Sequence, residues 1–161
     1  MVEGYLDGVQ LRKLHMGITV PRAAELIAIT GTPGLPIYNI IGGVILVTGL
    51  FGVCTTTHGG VANTMSFEHD PAAATGADNV ITATTDLGTA SVVGDIAVVV
   101  GAPGTGPLGG HVTVQVLGST AGKGILMAAG IIGLVATAAN GGWRWVISYV
   151  PMDDGAYITV A

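Results

Sequence analysis

The sequence predicts an all-β protein: a single-domain antiparallel β-sandwich, jelly-roll-like, with a C-terminal β-hairpin turning at Asn140-Gly141. Three observations lead there. Short apolar runs rich in Val, Ile and Thr recur between clusters of Gly, Pro and Asn, with no sustained helical period. Glycine supplies 27 of the 161 residues, more than twice the usual share of about 7%. The closing stretch GGWRWVISYVPMDDGAYITVA places Trp143, Trp145, Ile147 and Tyr149 on one face of an extended strand and Arg144, Val146, Ser148 and Val150 on the other. At this length the chain forms one domain able to bury about 70% of its unfolded surface.

Residues 1–17 hold Arg12 and Lys13, show no strong period and are read as an N-terminal arm. Residues 18–161 form the sandwich domain. Ile18-Thr19-Val20 is a short strand stopped by Pro21, and Ala23 to Ile29 is a short apolar segment. Gly31 to Pro36 reads as a turn cluster. Leu35 to Ile41 and Val44 to Val53 read as two strands kinked at Gly42-Gly43, or as one bulged strand. Thr55 to Asp70 is a polar loop with a short strand at Thr64 to Phe67, followed by a turn from Pro71 to Asn79. Val80 to Thr85 and Ser91 to Val100 are strands, and Gly101 to Gly110 is a loop. His111 to Leu117 alternates with Val112, Val114 and Val116 on one face, and Gly118 to Gly124 turns again.

Asn140-Gly141 between two apolar runs is a strong local signal for a type I′ hairpin. That register sets Ala138 opposite Trp143, Ala136 opposite Trp145 and Leu134 opposite Ile147, so small residues face the indoles. Trp143, Trp145, Ile147, Tyr149, Ala136 and Ala138 are therefore the expected core of the hairpin. Val146, Val150, Tyr157, Ile158 and Val160 are the expected subunit contacts.

Composition excludes some partners. With five basic residues, scattered along the chain, and a net charge of −5, the protein lacks the cationic stripe that nucleic acid requires. The acidic start from Met1 to Asp7 is not a secretory signal. Cys54 has no internal disulfide partner and reads as a small buried hydrophobe. Ile37 to Cys54 and Gly124 to Ala139 are apolar enough to raise a membrane reading. Both are at or below the ~20 residues of a spanning helix, and neither has sided basic flanks or paired aromatic anchors. A membrane partner is not expected.

No motif carries catalysis, and neither a cofactor nor a metal is expected. GSTAGKG (Gly118 to Gly124) departs from a phosphate loop in glycine spacing and in having Gly124 after Lys123. His58, Glu68, His69 and Asp70 match no ligand spacing and read as loop residues. His58-Gly59-Gly60 resembles an oxyanion-hole loop, but the chain has no nucleophile elbow. Asp153-Asp154-Gly155 is a turn after Pro151 rather than a calcium loop. Asp95, with no charged neighbour in sequence, is a candidate for an interchain partner.

Two segments carry a resemblance. LPIYNIIGGVILVTGLFGVCTT (Leu35 to Thr56) and WRWVISYVPMDDGAYITVA (Trp143 to Ala161) resemble a family of small structural proteins of tailed-bacteriophage virions. Asn63-Thr64 followed by Asp70-Pro71 is a looser match, and the first 17 residues and Ala72 to Gly110 depart from the pattern. The resemblance implies a non-enzymatic capsid decoration, or cement, protein on the exterior of the virion, made in the host cytoplasm. It implies as partners the chain itself, as a homotrimer, and the phage major capsid protein. A neck, tail-associated or fibre-base protein is the alternative within the virion, and a small membrane protein the alternative outside it. Strands apolar on both faces agree with burial against copies or a neighbour.

Overall fold

Thirteen strands and no helix form among the residues described by the computed structural model, which are 17–26, 30–72, 79–99, 108–112 and 124–161. One antiparallel sheet holds β1 (Ile18–Pro21), β2 (Glu25–Leu26), β4 (Ile45–Thr56), β8 (Ile96–Val99), β9 (Leu108–Val112), β10 (Ile125–Met127) and β12 (Gly142–Pro151). Its order is β1-β12-β4-β8-β9, with β10 also on β4 and β2 on β12. The second sheet holds β3 (Thr30–Ile41), β5 (Thr64–Pro71), β6 (Asn79–Val80), β7 (Thr85–Asp86), β11 (Gly130–Ala136) and β13 (Tyr157–Val160). Its order is β13-β3-β11-β5-β6, with β7 on β5. The two sheets pack face to face as a β-sandwich.

Strand alternation builds the core. Trp143, Trp145, Ile147 and Tyr149 all point inward from β12 and are buried. The two indoles stack at 5.5 Å between ring centroids and 17° between planes. Phe67, from β5 in the facing sheet, meets Trp145 edge-on at 4.8 Å and 89°. Ile132, Leu134 and Ala136 of β11 and Tyr38 and Ile40 of β3 complete this layer.

The closing element is not a hairpin. β11 pairs with β3 on one side and β5 on the other, and β12 pairs with β4 and with β1 and β2, so the two strands lie in different sheets. GIIGLVA is an uncharged run suited to a central strand, and both its edges are already filled. Gly141 does take a positive φ of 72°, as the turn chemistry requires. Asn140, however, ties the turn sideways: its Oδ1 accepts from the Gly59 amide at 3.0 Å. Buried Asn63 accepts from the Ala138 amide at 3.1 Å, holding Ala138 in the crossover. Ala136 accordingly pairs with Met65 and Thr30, while Trp143 faces Cys54, Trp145 faces Gly52 and Ile147 faces Leu50. The small residue opposite the central indole is Gly52. A Cβ there would lie 2.5 Å from the Trp145 ring.

Other boundaries also move. The expected turn cluster at Gly31 to Pro36 is part of β3, and Gly42-Gly43 is a crossover from β3 to β4 rather than a kink within one sheet. The strand expected at Thr64 to Phe67 runs on to Pro71. Val80 to Thr85 shrinks to the two short strands β6 and β7, and Ser91 to Val100 to β8. Leu108 to Gly110, expected as loop, begin β9. The N-terminal arm as far as residue 16, the loop at 101–107 and the segment 113–123, with all of the GSTAGKG loop but Gly124, lie outside the described residues.

Both stretches that raised a membrane reading are strands and the turns between them. No helix among the described residues is long and apolar enough to cross a membrane.

Candidate interaction face

Register fixes what the outer surface of the first sheet presents, because residues paired across antiparallel strands point to the same face. Opposite the inward row of Ala97, Gly52 and Trp145, the outward rows are mostly apolar. Leu126, Leu46 and Val150 form one row across β10, β4 and β12. Val98, Phe51, Val146 and Pro21 form a second across β8, β4, β12 and β1. Ile96, Val53 and Arg144 form a third. Between the first two lies a polar row in which Thr19 and Ser148 share a hydroxyl hydrogen bond of 3.1 Å.

Within this face Leu126 is the most open large apolar side chain among the described residues, 64% exposed, with Leu46 and Val150 half-buried beside it. Val98 and Val146 are already buried by the chain itself. Val146 is thus not a free contact residue. Ile158 is likewise buried, because β13 turns it inward onto the core, so its expected role at a subunit contact is corrected. Tyr157 and Val160, on the same edge strand, are exposed at 45% and 43%. Tyr157 pairs with exposed Ile41 on the outer face of the second sheet, forming a second, smaller apolar patch. Of the Leu126-Leu46-Val150 row the sequence points to Val150 alone, although Leu46 and Phe51 do alternate with buried positions of β4.

The edges of the two sheets are tied together. Arg22, in the segment between β1 and β2, donates to the carbonyls of Pro36 at 2.9 Å and Ile37 at 2.8 Å in β3. It also pairs with Glu25 at 2.7 Å. The carbonyls are presented where the β3–β11 register shifts near Pro36. Tyr149 of β12 accepts the Ile158 amide of β13 at 3.2 Å, occupying a backbone donor on that edge. Tyr38 donates to the Val20 carbonyl at 3.2 Å, and burial holds its phenol well above the usual tyrosine range, with Arg22 opposing.

The residues considered for chemistry are dispersed. Strand alternation sends His69 inward from β5 and Glu68 and Asp70 outward, while His58 lies in the loop after β4. Glu68 accepts from the Gly34 amide. His58 accepts a hydrogen bond from Trp143 at 2.8 Å. Asp95 serves its own turn: its carboxylate accepts from the Val92 amide at 3.0 Å and its carbonyl from the Cys54 amide at 2.8 Å. It is buried there and does not present itself to another chain. Burial pushes the Cys54 thiol up, and its Sγ donates to the Thr56 carbonyl. Among the described residues no group of three or more His, Cys, Asp or Glu is arranged to hold a metal ion.

Comparison with protein-family models, curated proteins and solved structures finds no match to this chain.

Proposed function

We propose that this protein is a non-enzymatic structural component of a tailed-bacteriophage virion, a decoration or cement protein that binds the outer surface of the assembled capsid as a homotrimer. The observation that carries the reading is the outer face of the first sheet, where exposed Leu126 leads a cross-strand apolar row with half-buried Leu46 and Val150. Apolar rows of this kind favour a protein partner over solvent. The chain's low charge and its resemblance to phage virion proteins across β3–β4 and β12–β13 support the same reading. Such a protein bridges neighbouring capsomers, and because it binds only the assembled shell it stabilises that shell by mass action.

Copy number in purified virions tests this directly. A ratio near one-to-one with the major capsid protein, or one trimer for each local three-fold position, is expected. A ratio matching a portal ring or a few fibres moves the protein to the neck or tail, and absence from virions discards the proposal.

A further inference from the structure

We propose that the cleft beside His69, where the two sheets part, is a binding site for a small, neutral, mostly apolar molecule bearing one hydrogen-bond donor, a phenol being the simplest member of the class. The cleft has a volume of about 350 Å³, inside the ~300–1,000 Å³ range of small-molecule sites. It draws on both layers: the end of β5 and the start of the segment after β6 from one sheet, and β10 from the other. Ile81 and Met127, each 4% exposed, line its deep part, and Val80 and Leu126 stand exposed at its rim.

Among the described residues of that lining His69 has the only polar side chain, and it is 7% exposed. Its Nε2 lies 3.0 Å from the Ala128 carbonyl. A carbonyl only accepts, so Nε2 carries the hydrogen and Nδ1 of the neutral ring is an acceptor. No donor among the described residues meets that Nδ1. Burial also pushes the imidazole below its usual range, favouring the neutral ring at neutral pH, against weaker pulls from the Ala128 carbonyl and then Asp70.

These features select the ligand. A hydrocarbon of the right size fills the apolar walls but covers the imidazole acceptor without replacing its hydrogen bond to water. A donor at that end restores the bond, and the difference is about tenfold in affinity. Ions are poorly served. Among the described residues the lining holds no charged side chain, and Glu68 and Asp70, the carboxylates flanking His69 along β5, point to the opposite face of the strand.

The test compares p-cresol with toluene, which share a body and differ in one hydroxyl, by calorimetric and NMR titration of the full chain. The wild-type protein is expected to bind p-cresol about tenfold more tightly than toluene. His69→Leu is expected to abolish that preference, and Leu126→Trp, which fills the rim, to weaken both. No binding of either compound at millimolar concentration, no preference in the wild type, or a preference that survives His69→Leu overturns the proposal. The wild-type comparison stands alone if His69→Leu does not fold. N-acetyltyrosinamide separates two sources of the same group: its binding at the p-cresol resonances assigns the phenol to a partner's tyrosine, and its exclusion assigns it to a free molecule.

Discussion

The indole N–H of Trp143 donates to Nε2 of His58 across 2.8 Å, and both rings are buried. The bond joins the first turn of β12 to the loop that follows β4, two segments 85 residues apart. Room for the imidazole exists because Gly141 has no side chain: a Cβ at that position would fall on the His58 ring. The neighbouring Trp145 is also buried, yet its Nε1 has no hydrogen-bond partner. The two stacked indoles therefore differ in one respect that mutation can isolate.

Trp143→Phe and Trp145→Phe remove similar volumes, but only the first strands an acceptor on His58. Trp143→Phe is expected to be the more destabilising by about 1–3 kcal/mol, the cost of leaving a buried polar group unpaired. Urea denaturation of the two variants measures the difference. Equal losses would mean that the Trp143–His58 bond contributes nothing net.

Gly52 lies opposite Trp145, and an added Cβ would sit 2.5 Å from the ring. Gly52→Ala is expected to cost about 1–3 kcal/mol by overpacking. Combined with Trp145→Phe, which clears part of the space, it should cost less than the sum of the two changes. Additive losses would show that Gly52 is needed for some reason other than the indole.

Arg22 bonds two carbonyls and one carboxylate at once, and its side chain is 10% exposed. Arg22→Met is expected to lower stability by about 2–4 kcal/mol, since it leaves Glu25 without its cation and the β3 carbonyls unmet. Arg22→Lys should restore little, because one ammonium cannot reproduce the planar fork. A lysine variant melting with the wild type would sink the clamp.

Acid should destabilise the fold in two windows. Burial lowers the His69 pKa, so on acidification the unfolded chain takes up that proton first, and stability falls as pH drops through and below about 6.5. Asp86 is held at about 2 by hydrogen bonds, first from the Thr89 hydroxyl and then from the Gly88 amide. Its contribution is present above the usual aspartate value of 3.8 and lost as pH falls toward 2. Asp86 is half-buried and screened by solvent, so the second effect is small. Melting curves from pH 8 to pH 2 should lose the upper step in His69→Gln and the lower one in Asp86→Asn.

Leu126 is exposed and outside the core, so Leu126→Asp should change monomer stability by no more than about 0.5 kcal/mol. The same charge set in the Leu126-Leu46-Val150 row should weaken self-association and binding to expanded shells at least tenfold. Sedimentation and a shell co-pelleting assay check both. Unchanged binding would remove that row from the interaction face.

The sandwich was legible because alternation is a local property: Trp143, Trp145, Ile147 and Tyr149 declare an inward face whatever lies across from it. Pairing partners are not local. Asn140-Gly141 specifies a positive φ at Gly141, and a crossover between layers uses that conformation as readily as a hairpin does. What decided the outcome was Asn63 and Asn140 holding the turn against a distant loop, and Gly52 rather than Ala136 making space for Trp145. Of the expected contact residues, Val146 and Ile158 are buried within the chain, and the burial of Ile158 in the core depends on a strand pairing that no local residue pattern encodes. Glu68, His69 and Asp70 read as loop residues because their polar run hides the alternation of the strand that carries them. The Arg22 clamp and the His69 cleft gave no sequence signal, since their partners are backbone carbonyls and shape.

The strand order has a consequence for synthesis. Reading from the N-terminus, β1, β3, β4 and β5 emerge first, yet β1 and β4 are joined only through β12, and β3 and β5 only through β11. The keystone of each layer is thus made late, and neither layer closes on the ribosome while residues 130–151 remain unmade or in the exit tunnel. Until then the nascent chain holds apolar half-sheets with open edges, a state that a cell must shield from association. Folding is expected to complete as one event when the last strands slot into place.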